Sequence, residues 1–251
     1  MPPATAAPDQ AVRKLVRSKT SDAVAERLLE MIFAGELQPG DRIDLDAVAE
    51  QLGVSRAPVR EALLSLERDG VIEMPYHRGA FVARFDAATI REAFELYGLL
   101  NALTSARVAR RSDPEVLDAL ERAAAEVAYA RGIEEFESAA REFRRVLNVA
   151  AGGPHLRGLL RTFGGLLPVA SRLSMDRSVE EERALIGAEF EAISAGDSER
   201  ASEITLAHLR LLGEYAVQTL RRRGVLCPDE HGSEPVDRVL GVRLAPEGEA
   251  R

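Results

Sequence analysis

Two arginines with a fixed spacing carry the most specific chemistry in this sequence. Arg56 and Arg60 are four residues apart, so on a helix they share one face. Val59, Leu63 and Leu66 form the opposite, apolar face of the same segment. Arginine presents a planar fork of N–H donors that matches the O6/N7 edge of guanine and the oxygens of phosphate. The pair stands at the start of a helix predicted from Arg56 to Asp69, with Ser55 as N-cap and Pro58 in the first turn. A helix N-terminus also aims unpaired backbone N–H groups at anions. Two exposed arginines on a solvated face decide nothing by themselves. A third basic element, His77-Arg78-Gly79, follows at the tip of a predicted hairpin. Together the three describe a surface for the edges and backbone of a nucleic acid.

The elements that must position them are legible on both sides. A helix is predicted from Asp22 to about Phe33, capped by Ser21, with Val24, Leu28, Met31 and Ile32 as its apolar stripe and Gly35 as its stop. Pro39-Gly40 turns the chain into a short extended piece. A second short helix fits Leu45 to Leu52, and Gly53 makes the turn into the arginine helix. Val71–Met74 and Ala80–Ala83 read as two strands of a β-hairpin wing. From Ala87 the strand signal vanishes. Helices are predicted at about 87–111, 114–130, 133–151, 154–174, 178–195 and 198–223, separated by Asp113-Pro114, Gly132, Gly152-Gly153-Pro154 and Gly196-Asp197. The expected chain is mainly α: an N-terminal winged helix-turn-helix followed by an all-α bundle. The divisions are 1–18, a flexible arm; 19–84, the winged helix; 87–223, the bundle; and 224–251, a loose tail. Arg13, Lys14, Arg17 and Lys19 make the end of the arm basic, which suits either a solvated tail or a phosphate-contacting one.

Composition bounds the rest. The chain has 251 residues, 46% of them hydrophobic and 29% charged, which is globular material. Its single cysteine, Cys227, permits no internal disulfide, and a reducing cytoplasm is the expected home. No apolar run approaches the roughly 20 residues that span a bilayer, and the first residues lack the plan of a signal peptide. The net charge of -8 argues mildly against a nucleic-acid partner, but the placement of the positive charges outweighs their sum.

The segments Leu52-Gly53-Val54-Ser55-Arg56-Ala57-Pro58-Val59-Arg60-Glu61-Ala62-Leu63, Asp69-Gly70-Val71-Ile72 and Arg78-Gly79-Ala80-Phe81-Val82 resemble the GntR-family winged helix, together with Leu37-x-Pro39-Gly40 ahead of them. The resemblance implies DNA contacts from Ser55, Arg56 and Arg60, with Ala57 among them, and a wing at His77, Arg78 and Gly79 that reaches the minor groove. One position departs. Some members carry a DNA-contacting basic residue early in the second helix, where this chain has Asp46 and Ala47.

The helical part is similar to the FCD domain of the FadR-like branch, on Glu95-Leu96-Tyr97, on the run from Phe143 to Pro154, and on Ala192-Ile193-Ser194-Ala195-Gly196-Asp197 with His208 eleven residues later. Many FCD domains hold a divalent metal with four ligands, whose positions here read Ala140, Arg144, Ile186 and His208. The expectation is therefore no metal and no other cofactor. Arg144 either snorkels from the edge of its helix's apolar stripe, reaching solvent or pairing with a nearby glutamate, or places a fixed positive charge in the pocket, where an effector's anionic group would meet it. His208 is either a pocket residue or a satisfied core histidine. Asn101, Thr104 and Arg172 are candidate polar lining. The resemblance implies a homodimeric repressor that binds a double-stranded operator and responds to a small anionic or amphipathic effector. The alternative is a regulator whose bundle only dimerises. An enzyme has no support: no nucleophile–base pair and no Gly-rich phosphate loop is readable.

Overall fold

A computed structural model describes residues 10–163 and 179–228, with side chains from Thr20 onward in the first stretch. Three helices and a small sheet come first: α1 (Gln10–Ala34), β1 (Arg42–Ile43), α2 (Leu45–Leu52), α3 (Arg56–Arg68), β2 (Ile72–Glu73) and β3 (Ala80–Val82). Among the described residues six helices follow: α4 (Ala87–Arg111), α5 (Pro114–Tyr129), α6 (Ile133–Ala151), α7 (Pro154–Thr162), α8 (Val179–Ser194) and α9 (Ser198–Arg222). The helix expected to run to residue 174 is described as far as Thr162, with Phe163 in a turn, and the segment after Phe163 lies outside the described residues.

Local chemistry explains the boundaries. Asp44 caps α2 by accepting from the backbone N–H of Asp46 and Ala47, and Gly53 closes it in the left-handed region at φ 64°. Asp86 caps α4 through Thr89, Asp113 caps α5 ahead of Pro114, and Asp197 caps α9 through Arg200. The wing is a three-stranded antiparallel sheet of order β1-β3-β2. Arg42 faces Phe81 across one ladder, and Ile72 faces Val82 across the other. The short extended piece after Pro39-Gly40 is thus the third strand of the wing.

Three expectations are corrected. The first helix starts at Gln10 rather than Asp22, so Ser21 lies inside it instead of capping it. No proline or glycine interrupts the chain between Pro8 and Gly35, and nothing local stops the helix earlier. The arm expected over residues 1–18 is therefore helical from Gln10, and residues 1–9 are outside the described set. Ser55 does occupy the N-cap position of α3, but its side chain makes no capping bond. The tail expected from Gly224 does not begin there. Val225 is fully buried in the core, and the Cys227 N–H donates to the Phe85 carbonyl at 3.0 Å. Val225 and Leu226 bring apolar surface to a site already lined by α1 and α9.

The core has two parts. One is formed by Leu28, Ile32 and Phe33 of α1, the α3 stripe, the sheet, the start of α4 and the second half of α9. The other joins α5, α6, α8, the end of α4 and the start of α9. Helices α4 and α9 run through both and approach closely because each offers a glycine. A Cβ on Gly213 would lie 2.9 Å from Phe94 Cβ, and one on Gly98 would lie 2.9 Å from Leu206 Cδ1. The winged helix is therefore not a separately packed bead: its core continues into the bundle.

Candidate nucleic-acid interface and buried polar cluster

On α3 the residues Val59, Ala62, Leu63 and Leu66 are buried, which turns Arg56 and Arg60 to the surface. Ser55 and Ala57 are exposed beside them. Arg60 makes no ion pair or side-chain hydrogen bond among the described residues. Arg56 differs. Its Nη2 donates to Asp46 Oδ2 at 2.7 Å, and its Nε pairs with Asp46 Oδ1, although the two side chains are 76% and 59% exposed. Asp46, noted in the sequence only as a lost basic position, is thus the partner of a predicted recognition residue.

The wing tip is exposed at Tyr76, His77, Arg78 and Gly79. His77 takes φ 59° and Gly79 φ 92°, and the Arg78 N–H closes the turn on the Pro75 carbonyl at 3.0 Å. Tyr76 is 87% exposed and lies against the His77 ring with centroids 3.9 Å apart. A Cβ on Gly79 would meet Arg42 Nε at 3.4 Å, so Arg42 of β1 adds a cation beside the wing that sequence reasoning did not select. The strand pairing of Arg42 with Phe81 is the geometry that brings it there.

The second site is interior. Arg144, on α6, has only 11% of its side chain exposed and grips Glu189 of α8, which has none. Nη1 and Nη2 each donate to one carboxylate oxygen at 2.8 Å. Ser105 Oγ donates to Glu189 Oε1 at 2.7 Å, and Thr205 Oγ lies 2.8 Å from the same oxygen. Burial opposes charge on Glu189, but the Arg144 cation and these bonds outweigh it and hold the carboxyl below its ordinary range. The balance for Arg144 is the same: desolvation works against its charge, and Glu189 more than restores it. Burial also pushes the Tyr97 hydroxyl up, against the opposing pull of the Arg144 charge and an Asn101 hydrogen bond.

The anion that Arg144 meets is therefore Glu189; the sequence left a nearby glutamate as one alternative without naming which. A signal existed. Glu182, Ile186, Glu189 and Ile193 recur at helical spacing, so two glutamates lie on the buried face of α8. The remaining sequence candidates gather around the pair. His208 is buried, with Nε2 3.5 Å from Glu182 Oε1. Neither of its ring nitrogens, nor Asn101 Oδ1, has a hydrogen-bond partner among the described residues. Asn101 Nδ2 donates to the Tyr97 carbonyl, and the Thr104 hydroxyl donates to the Asn101 carbonyl at 2.7 Å. Arg172 lies outside the described residues.

A divalent metal does not fit this cluster. Ala140 and Ile186 offer no donor, Arg144 is a cation, and both Glu189 oxygens are engaged by it. Among the described residues no group of three metal-ligating side chains converges. No helix among them is long and apolar enough to cross a membrane.

Comparison with known proteins decides the family. Residues 20–82 match the bacterial regulatory proteins of the gntR family, and residues 92–211 match the FCD domain. The chain belongs to the GntR family. An HTH-type transcriptional regulator of Mycobacterium tuberculosis is 35% identical over 212 residues, covering 84% of this chain and 87% of its own. The regulator YdhC of Bacillus subtilis is 29% identical over 192 residues, covering 72% and 84%. Among solved structures, Escherichia coli McbR/YncC superposes with a TM-score of 0.57 at 21% identity, over 82% of this chain and 98% of that one. This GntR-family chain is a DNA-binding transcriptional regulator, not an enzyme, with a winged helix-turn-helix and a helical FCD domain.

Proposed function

We propose that this regulator is a cytoplasmic homodimeric repressor, released from its operator when a small effector enters the helical domain. DNA contacts are assigned to Ser55, Arg56, Ala57 and Arg60 in the major groove and to His77, Arg78 and Gly79 at the wing. Supporting this are the exposure of all seven and the burial of the opposite face of α3. Dimerisation is assigned to α4, whose Leu96 and Leu103 are each 42% exposed with half-buried Leu99 and Leu100 between them. One winged helix covers too little DNA for tight operator binding, so two half-sites are needed.

The effector reading is carried by one observation: Asn101 Oδ1 and both nitrogens of His208 are buried without a hydrogen-bond partner among the described residues. Buried polar atoms are nearly always satisfied, and a ligand carrying donors would satisfy these. Because Glu189 already neutralises Arg144, the effector is amphipathic and hydrogen-bonding, and its affinity does not depend on an anionic group. The filled Arg144–Glu189 position equally favours the second reading, a bundle that only dimerises. Native mass spectrometry of the full chain separates them. A dimer carrying a stoichiometric small molecule, lost on His208→Leu, supports the effector. A ligand-free dimer whose DNA affinity no organic compound changes refutes it, and a monomer at micromolar concentration refutes the dimer.

A further inference from the structure

Two arginines stand on the DNA-facing side of α3, one turn apart, and only one of them is held. Arg60 has no ion pair or side-chain hydrogen bond among the described residues, whereas Arg56 is gripped by Asp46 from the neighbouring helix α2. An exposed ion pair of this kind contributes about 0–1 kcal/mol to stability, so stability does not explain a carboxylate placed on a surface that must approach phosphates. Its geometry does. Asp46 is itself fixed, because Asp44 Oδ1 accepts from its backbone N–H at 2.8 Å at the first turn of α2. Its two oxygens take Nε and Nη2 of Arg56, which is the side edge of the guanidinium. A guanidinium has five N–H donors. Three are left over, both on Nη1 and the second on Nη2, and one from each nitrogen forms the end edge of the fork. That edge is the one that meets the O6 and N7 acceptors of guanine.

We propose that Asp46 is a specificity-determining positioning residue, which orients the Arg56 fork so that its free edge reads one guanine in each bound half-site. Left unheld, Arg56 swings between base edges and phosphates, since its side chain is rich in rotamers. Held, it loses that freedom before binding, and its side edge is closed to phosphate. The carboxylate has a second effect: it repels the DNA backbone, so it weakens binding to all sequences while sharpening the choice among them. A negative charge at this position thus exchanges general affinity for discrimination at one base pair. The inference rests on the DNA-binding assignment of Arg56, and its test separates the two.

Full-length protein is used to select from duplexes with a randomised core of about two helical turns, followed by titration of single-base variants of the selected site. The wild type enriches a site with guanine at one position per half, at a preference of roughly 5- to 150-fold for a bidentate contact. Asp46→Ala loses at least about fivefold of that preference at that position alone, while its affinity for unselected DNA rises severalfold. Asp46→Asn, which keeps the shape and one acceptor, falls between. In an Arg56→Lys background, Asp46→Ala changes nothing at that base pair, since lysine offers no fork to orient. Asp46 is exposed and its helix is capped by Asp44, so the variants fold, and their melting temperatures verify this. An Asp46→Ala protein that keeps its guanine preference overturns the inference and leaves the DNA assignment standing. So does one that loses affinity equally for every sequence. A wild-type protein that enriches no site overturns the DNA assignment itself, and the inference with it.

Discussion

Replacing Arg144 with methionine removes one side of the most deeply buried ion pair described in the chain. Methionine keeps much of the length and fills the stem's place, so the change is chiefly one of charge. Glu189 has no exposed surface and cannot reach water, and it keeps only the hydroxyls of Ser105 and Thr205. Stranding a buried charge in this way costs about 3–5 kcal/mol. For a chain of this size that is a fall of roughly 6–20 °C in Tm. The reverse change, Glu189→Gln, costs less, because Arg144 sits at the edge of the cluster with 11% exposure and can turn its head outward. Removing both, as Arg144→Met with Glu189→Leu, recovers most of the loss. The Ser105 and Thr205 hydroxyls are not orphaned, since Asn101 O lies 3.2 Å from the first and Ala201 O 2.7 Å from the second. The pH dependence has a definite sign. In the wild type the Glu189 carboxyl is held low, so its stabilisation is present above the ordinary carboxylate range and is lost only as pH falls through that lowered value. In Arg144→Met the stranded carboxyl titrates upward instead, so the variant closes part of its gap to the wild type as pH falls from about 7 to about 5. Denaturant unfolding of the four proteins at both pH values is the assay. A loss below about 1 kcal/mol in Arg144→Met, unchanged by pH, would refute the pairing.

Three further outcomes follow from single residues. Burial pushes the Asp69 carboxyl at the end of α3 up to about 6, against the opposing charge of Arg68; its stabilisation is present below about pH 4 and lost as pH rises through about 6. Asp69→Asn is therefore more stable near neutral pH by about 1 kcal/mol, once the shift is discounted for a half-exposed group, and the gain is absent from melts at about pH 4. Gly213→Ala forces a Cβ to within 2.9 Å of Phe94 Cβ, and the overpacking of about 1–3 kcal/mol exceeds the helix-propensity gain of about 1; an unchanged or raised Tm would show that α4 and α9 can separate. Arg60→Ala costs about 1–3 kcal/mol in operator binding and relaxes preference at one base pair, read by titration against single-base variants; a uniform loss over all sequences would assign Arg60 to phosphate.

The winged helix was legible because its information is local. Turn residues, a strand alternation and a run of twelve residues around Arg56 place every element within a few positions, the start of α1 excepted. Five of the six bundle helices were bounded to within a residue for a similar reason, and the start of the sixth, α7, as well, since Asp113-Pro114, Gly132, Gly153-Pro154 and Asp197 act on their own neighbours. What failed was of two kinds. Ser21 has the chemistry of a cap, yet a cap forms only where the preceding backbone is non-helical, and nothing between Pro8 and Ser21 makes it so. The partners of Arg56 and Arg144 are contacts across the fold, ten and 45 residues away. Periodicity puts Glu189 on a buried face but does not name the cation opposite it. Val225 and Leu226 were two apolar residues in a polar stretch, too few to show a period, and their burial follows from where α9 ends.

The two ion pairs show how exposure sets what an arginine is free to do. Arg56 and Arg144 each meet a carboxylate through two nitrogens. The Arg56 pair stands in water with more than half of each side chain exposed, where pairing contributes about 0–1 kcal/mol. DNA can therefore take up the free edge of its fork, or displace the carboxylate, at little cost. The Arg144 pair is dry, and separating it costs several times more. An anionic effector drawn to Arg144 would have to evict Glu189, leaving that carboxylate buried with no cation, so the net gain from its charge is small or negative. Thermal shifts by organic acids and by their neutral amides should accordingly be alike in the wild type. A carboxylic acid that stabilises the protein far more than its amide, with the difference abolished in Arg144→Met, would mean that Glu189 does yield and that the interior pair is the gate of the effector site.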